Sequence, residues 1–214
     1  MSLTTLKKSD TYSDANFANH TCEYISCTYE TNPEIIEHAR SFVREQYSKL
    51  GYVGYDSDFD RQFDLNGFGR YFIALKEKNT IVATSRVLTR GPNGLPIEYA
   101  IRKDTEQKMK LEAGNIAEMN SFAATSMKEG TRVLVMGAEY VLEQNFEATY
   151  GLYDVNRPGV GKLYNRLGAV DSKGHPYKIY FPGYGKIESE KIIPTEWAIQ
   201  VSDYSKIIAK IRHA

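Results

Sequence analysis

The sequence is poor in the features that mark metal proteins, secreted proteins and membrane proteins. Two cysteines, Cys22 and Cys27, are present in 214 residues. Their spacing in a strand-like run would point them to opposite faces, which argues against a disulfide or a zinc site. The four histidines are scattered without ligand spacing. No apolar run is long enough for a membrane span, and the N-terminus lacks the apolar core of a signal peptide. We therefore expect a reduced, cytoplasmic protein without a metal ion.

Neither sign of charge is in excess. The 27 Lys and Arg residues balance the 27 Asp and Glu residues, so there is no electrostatic indication of nucleic-acid binding, and no familiar nucleic-acid motif occurs. The hydrophobic share of 42% and the charged share of 25% are ordinary for a globular protein. We predict a flexible lead over residues 1–18 and a single domain over residues 19–214.

Hydrophobic periodicity and turn residues predict strands that alternate with helices. Asn32 and Pro33 are suited to begin a helix, Gly51 to end it, and Asn79 to turn a hairpin. Residues 54–69 are polar and acidic without a regular period, and we interpret them as an active-site loop. The other predicted elements are strands at 20–30, 115–125, 147–156, 176–183 and 194–202, and helices at 98–114, 131–145, 158–168 and 203–214. This order predicts a mixed α/β sheet.

Two residues carry side chains suited to proton transfer. Glu118 lies in the strand-like phrase "NIAEMNSFAAT", and Tyr164 lies in the helix phrase "GKLYNRLGA". Glu118 could take a proton from an ammonium group, and Tyr164 could give one to a departing thiolate, so that an acyl group moves from a thioester to an amine. The alternatives are a solvated or ion-paired strand glutamate and a tyrosine that packs its ring in the core.

The phrases "NIAEMNSFAAT", "TRVLVMGAEYVLEQN" and "GKLYNRLGA", in this order, resemble the GNAT superfamily of N-acyltransferases. The phrases "VREQYSKLGYV", "DSDFDRQFD", "GRYFIAL" and "ATSRVL" are similar to acyl-homoserine-lactone synthases and long-chain N-acyl amino acid synthases. Those branches generally take acyl groups from acyl carrier protein. The resemblance spans roughly residues 36–169. It implies a GNAT-like, mostly antiparallel mixed sheet with a splayed central pair of strands, flanked by helices.

The lactone-synthase pattern also implies site residues. It has an arginine in the first helix, an aromatic residue after Leu-Gly, two aspartates, an arginine in the third strand and a glutamate in the fourth. The corresponding residues here are Arg44, Tyr52, Asp60, Asp64, Arg86 and Glu118. The resemblance thus implies acceptor binding for the first five and catalysis for Glu118 together with Tyr164. The acidic loop could equally be a solvated surface.

Two departures from the family pattern change what the resemblance implies. The lactone synthases follow the strand glutamate with Ser-Arg-aromatic, whereas this chain has Asn120-Ser121-Phe122, which disfavours lactone chemistry. The pyrophosphate loop of CoA-dependent relatives keeps only its first glycine here, Gly130, and the bulky Arg132 would crowd a pyrophosphate held against backbone amides. A carrier-protein thioester is therefore favoured over CoA as the donor.

Basic residues fall in the two loop-helix entries beside the predicted donor cleft. They are Lys128, Arg132, Arg157, Lys162 and Arg166. They would suit an acidic carrier protein and its phosphate, or they could form a solvated helical face. Asn156 could bond a pantetheine amide as the donor arm lies along a splayed strand, or it could be a turn residue. With Gly130, these residues make up the expected donor site.

We therefore expect an N-acyltransferase that moves a medium or long acyl chain from acyl carrier protein to the amine of an amino acid or a similar small molecule. Acyl-phosphopantetheine would be the co-substrate, without a tightly bound cofactor. One alternative is a CoA-dependent acetyltransferase. Another is an acyl-binding module that kept the fold and lost the reaction.

Overall fold

A computed structural model of the chain describes residues 22–211. The expected lead at residues 1–18 and the last three residues of the predicted C-terminal helix lie outside this range. The helices are α1 (Pro33–Lys49), α2 (Ser57–Arg61), α3 (Met127–Gln144), α4 (Pro158–Arg166) and α5 (Tyr204–Ile211). The strands are β1 (Glu23–Thr28), β2 (Tyr52–Val53), β3 (Gly69–Lys76), β4 (Thr80–Thr89), β5 (Ile101–Arg102), β6 (Ile116–Ala124), β7 (Ala148–Asp154), β8 (Ala169–Asp171), β9 (Ile179–Tyr180), β10 (Gly185–Glu188), β11 (Lys191–Pro194) and β12 (Trp197–Ser202).

The large sheet has the strand order β1-β3-β4-β6-β7-β12-β9-β5, and β8 pairs with β12. Among these pairs, β6 and β7 run parallel and the others run antiparallel. A smaller sheet joins β11, β10 and β2. The predicted mixed α/β architecture is confirmed.

Helices cover both faces of the large sheet, as the side-chain alternation along β3 illustrates. Tyr71 and Ile73 pack in a cluster with Ile36 of α1, whereas Phe72 packs in a cluster with Val133 of α3. Successive side chains of a strand point to opposite faces, so the run of residues 71–75 in β3 is apolar because both faces of the strand are buried there.

Local signals in the sequence account for the start of α1. The side chain of Asn32 accepts a hydrogen bond from the Ile35 N–H, and Pro33 occupies the first helical turn, as predicted. None of the helices within residues 22–211 is long and apolar enough to cross a membrane.

The central strands β6 and β7 part after a short stretch of pairing. Their parallel ladder ends where Met119 lies opposite Gly151, although both strands continue. On its other side β6 carries a bulge, where Ser121 and Phe122 lie opposite the single residue Ser85 of β4. Ser121 has a φ of 50°, and the extra residue bends the strand. The splayed central pair expected from the family resemblance is thus confirmed.

The prediction of a helix over residues 98–114 is wrong. The chain there forms a 3₁₀ turn at Pro96–Tyr99 and the short strand β5, and the Met109 N–H donates back to the Ala100 carbonyl. Ile97, Ala100 and Met109 are buried in one apolar cluster at the edge of the sheet. Burial of these side chains overrides the helix propensity of the segment.

The hairpin of β10 and β11 was not predicted, because its turn lacks the usual residues. Ser189 and Glu190 both have positive φ angles, 47° and 65°. Two-residue hairpin turns of this kind are normally marked by Asn-Gly or Asp-Gly, so the sequence carries no turn signal here.

Gly130 provides a test of close packing between α3 and β6. A Cβ atom at this position would lie 2.8 Å from the Ala124 Cβ and 3.3 Å from the Phe122 Cζ. We expect Gly130→Ala to lower the free energy of unfolding by about 1–3 kcal/mol, because the strand side chains cannot give way freely. Urea denaturation measures this change.

Gly159, in the first turn of α4, is the matched control because a Cβ there meets nothing within 4 Å. Gly159→Ala should leave the stability unchanged or raise it by up to about 1 kcal/mol. Equal destabilisation by both substitutions would contradict the packing role of Gly130.

Candidate active site

A buried ionic cluster joins α1, the loop of residues 54–69 and β4. The Arg86 guanidinium, 1% exposed, donates to both carboxylate oxygens of Asp60 at 2.6 and 3.0 Å. It also donates to Asp64 at 3.1 Å and to the Asn120 side-chain oxygen at 2.8 Å. Arg40 completes the cluster by bonding to both aspartates. Moving the loop away from the sheet would separate these charges and leave some of them buried without a partner, which is strongly unfavourable. The cluster therefore holds the loop against the sheet.

The arginine of the first helix in this cluster is Arg40 rather than Arg44. The resemblance pointed to Arg44, but that residue is exposed on α1. Arg40 lies one turn earlier and is 3% exposed. A signal for Arg40 was present in the sequence, since its position is in helical phase with the buried residues Ala39 and Val43.

Glu118 lies at the base of the gap between β6 and β7 and is 2% exposed. Its carboxylate accepts hydrogen bonds from the Ile97 N–H at 2.9 Å and from the Asn120 amide at 3.0 Å. Burial raises the pKa of Glu118 to about 7, although these two hydrogen bonds act in the opposite direction. A carboxylate that changes charge near neutral pH is suited to accept a proton and release it again.

Two cavities meet at the gap. The α2-side cavity, about 500 Å³, is bounded by Tyr55, Phe59 and Asp60 and contains Glu118 in its wall. The α4-side cavity, about 420 Å³, is bounded by Gly159, Val160 and Leu163. Five residues line both cavities: Tyr47, Phe122, Leu152, Tyr164 and Trp197. Glu118 and Tyr164 both line the α2-side cavity.

Two phenols stand at the junction of the cavities. The Tyr164 ring packs edge-on against Phe122, with ring centroids 6.1 Å apart, and burial raises the pKa of Tyr164 well above its usual range. The phenol is protonated at neutral pH and so carries a proton to donate, although its raised pKa makes it a weaker acid than an exposed tyrosine. The Tyr47 hydroxyl donates to the Phe122 carbonyl at the bulge, at 3.2 Å. Sequence reasoning missed Tyr47 because its position also fits the apolar stripe of α1.

Only some of the residues expected to bind the donor line the same cavity. Gly130 and Arg157 line the α4-side cavity. Lys128, Asn156, Lys162 and Arg166 are exposed outside its lining, and Arg132 is half-buried on α3 outside it. Tyr52, expected on the acceptor side, lines the α4-side cavity instead, where its hydroxyl donates to Asp154 at 2.5 Å.

The first turn of α3 already holds a protein carboxylate. Ser126 caps the helix, and its hydroxyl donates to the side chain of Glu129, which is 5% exposed. The positive end of the helix, which binds pyrophosphate in many nucleotide-binding proteins, is therefore occupied by Glu129. Gly130 beside it is explained by the close packing on Ala124 and Phe122.

Comparison with known proteins supports the fold. No family model matches the sequence, and neither does a curated protein. Solved structures do match. FeeM, an N-acyl amino acid synthase from uncultured soil microbes, has a TM-score of 0.60 at 17% identity over 89% of this chain and 96% of its own. TofI, in a ternary complex with an inhibitor and MTA, has a TM-score of 0.57 at 14% identity over 88% and 96%. A GNAT-family acetyltransferase from Staphylococcus aureus has a TM-score of 0.51 at 13% identity over 86% and 99%. The chain has the GNAT fold.

The two arginines of α1 differ sharply in their expected effect on stability. Arg40→Ala would leave buried carboxylates short of a partner, and we expect it to lower the free energy of unfolding by about 3–5 kcal/mol. Arg44→Ala, on the same helix and exposed, should change it by less than about 0.5 kcal/mol. Urea denaturation of both variants measures the difference, and similar values would exclude Arg40 as the cluster arginine.

Proposed function

We propose that the protein is an N-acyltransferase, which moves an acyl group from a phosphopantetheine thioester to the amine of a small molecule. The supporting observation is that Glu118, with a pKa of about 7, and Tyr164, with a raised pKa, line one space where β6 and β7 part. This gives a proton acceptor and a proton donor on two walls of the same gap.

The reaction would begin with deprotonation of the amine. Glu118 takes a proton from the bound ammonium group and later releases it to solvent. The free amine attacks the thioester carbonyl carbon, so that a C–N bond forms while the C–S bond breaks with its electron pair on sulfur. Tyr164 gives a proton to the thiolate, and the nitrogen loses its second proton as the amide forms, which restores the Tyr164 phenol through solvent. Backbone N–H groups at the bulge of β6 would stabilise the negative oxygen of the intermediate.

The α4-side cavity is suited to the donor arm. Beyond Gly151 the edge of β7 that faces β6 has no strand partner within residues 22–211, so an extended pantetheine arm could lie along it as an added strand. A small cavity of about 50 Å³ behind the gap is lined by apolar groups, including Met119 and Leu134, and would receive the start of a medium or long acyl chain. The similarity to FeeM, an N-acyl amino acid synthase, supports a chain of that kind.

Acyl carrier protein is the proposed source of the thioester. Glu129 occupies the start of α3, where the pyrophosphate of CoA would otherwise bind. Lys49 and Arg157 line the α4-side cavity and could meet the single phosphate of a carrier protein.

The proposed acceptor is a small-molecule amine. An amino acid, expected from the sequence, would need a cation for its carboxylate, and Arg86 was one of the residues expected to bind the acceptor. The hydrogen bonds of Arg86 instead go to Asp60, Asp64 and other side chains of the protein.

The role of Glu118 predicts a specific pH dependence. Glu118 must be ionised to accept a proton, so kcat/KM should fall as the pH drops below about 7. We expect Glu118→Gln to lower kcat by ~10²–10⁴-fold and to abolish this acid limb, because the amide cannot accept the proton. Steady-state acylation rates measured across the pH range test both effects.

Tyr164→Phe in the same assay should lower kcat while the protein stays folded. Tyr140→Phe is its control, since Tyr140 packs on Phe72 away from the gap and should keep full activity. Unchanged product formation in both Glu118→Gln and Tyr164→Phe, or no product from the wild type, would leave the acyl-binding module as the better description.

The donor can be identified by offering one acyl chain on two carriers. We expect kcat/KM for acyl carrier protein to exceed that for the matching acyl-CoA by about tenfold or more, because Glu129 disfavours a second phosphate at α3. Saturable CoA binding with equal or faster turnover of acetyl-CoA would establish the acetyltransferase alternative, which the similar S. aureus acetyltransferase structure also fits.

A further inference from the structure

The positive groups around the α2-side cavity are already paired with carboxylates of the protein. Within residues 22–211, Arg86 is the one cationic side chain in its wall. The guanidinium is 1% exposed, and its three nitrogens donate to Asp60, Asp64, Tyr71 and Asn120 at 2.6–3.2 Å. Nη2 donates to Asp60 alone, so a ligand carboxylate at this guanidinium would compete with two protein carboxylates that already neutralise its charge.

The backbone N–H groups at the start of α2 and at Ile97 are also bonded to protein carboxylates. The Asp56 side chain accepts from the Asp58 and Phe59 N–H groups at the start of α2. The Glu118 side chain accepts from the Ile97 N–H. A carboxylate entering the cavity would thus meet protein carboxylates rather than positive groups, and a buried charge without a partner is strongly disfavoured.

Aromatic rings supply the rest of the wall. Tyr52, Tyr184 and Trp197 stack, with centroids 5.7–6.1 Å apart, and Tyr184 and Trp197 line the cavity. The Tyr184 hydroxyl and the Trp197 indole N–H are buried and have no hydrogen-bond partner among the described residues. Both atoms are closed to solvent, so a ligand in the cavity would meet the surfaces of the rings. Aromatic faces are uncharged and attract ammonium groups.

We propose that the acceptor is a cationic amine with an aromatic or apolar body and without a carboxylate. This inference rests on the proposed acyl transfer. The ammonium group would lie between Glu118 and the aromatic rings, and the body of the molecule would fill the remainder of the cavity. An arylalkylamine has this chemistry, whereas the corresponding amino acid adds a carboxylate that no free cation of the wall can meet.

Trp197 makes ligand binding measurable without catalysis. It is the single tryptophan of the sequence and lines the cavity, so its fluorescence reports occupancy. The probes are phenethylamine and phenylalanine, which differ by one carboxylate. We expect phenethylamine to bind with a Kd lower by about tenfold or more. Equal or tighter binding of phenylalanine, or no response to either compound, would overturn the proposal.

Asp60→Asn tests the reason for this selectivity. The substitution weakens the hold on Arg86 and frees it in part for a ligand carboxylate, so the preference for phenethylamine should shrink by several-fold. Asp58→Asn is the control on the same short helix, because the Asp58 side chain is 87% exposed and pairs with Arg61. If Asp60→Asn does not fold, the titrations of the wild-type protein with phenethylamine and phenylalanine still test the proposal. An unchanged ratio in folded Asp60→Asn would contradict the proposal.

Acylation rates with the same two compounds separate this inference from the proposed function. Selective binding of phenethylamine without any acylation would refute the acyltransferase and leave the ligand chemistry standing. Acylation with a higher kcat/KM for phenylalanine would support the acyltransferase and refute the inference. Acylation with a kcat/KM about tenfold or more higher for phenethylamine would support both.

Discussion

The parting of β6 from β7 is the constraint on which the rest of this structure depends. Two paired strands satisfy each other's backbone groups and leave no room between them. Here the ladder stops at Met119 and Gly151, and the bulge at Ser121 bends β6 away. The space that opens is lined from α1, α4 and β12 and joins two cavities. Glu118 lies one residue before the end of the ladder. Strand pairing therefore fixes the position of its backbone, while the gap gives access to its side chain.

The ionic cluster explains both the shape of the site and the chemistry of Glu118. By bonding to Asp60 and Asp64, Arg40 and Arg86 hold the loop of residues 54–69 over the sheet. The charges of the cluster act on Glu118 in opposite directions, since Arg86 lowers its pKa and Asp60 raises it. Burial is the largest effect and sets the pKa near neutrality. The same pairing that stabilises the loop also neutralises the charge of Arg86 with the protein's own carboxylates.

Most of the fold could be predicted from the sequence because its main elements carry strong local signals. Asn32 and Pro33 mark the start of α1, Asn79 turns the β3–β4 hairpin, and the resemblance supplied the splayed pair. The failures have tertiary causes. The segment after Tyr99 does not form the predicted helix, because its apolar side chains are buried in the cluster with Ile97. The turn at Ser189 and Glu190 has positive φ angles, but neither residue is typical of such a turn. Arg40 was missed because the family pattern pointed to Arg44, which lies on the same helix one turn later.

The start of α3 shows why a motif has to be tested against its surroundings. A glycine in a phosphate loop is needed where a side chain would collide with the ligand. At Gly130 the collision would be with Ala124 and Phe122 of the protein itself. The Ser126 hydroxyl accepts from the Glu129 N–H and donates to the Glu129 carboxylate, so a negative charge of the protein already lies at the positive end of the helix. The surviving glycine therefore maintains the contact between α3 and β6. In the proposed reaction, the donor's phosphate would be bound by side chains of the α4-side cavity instead.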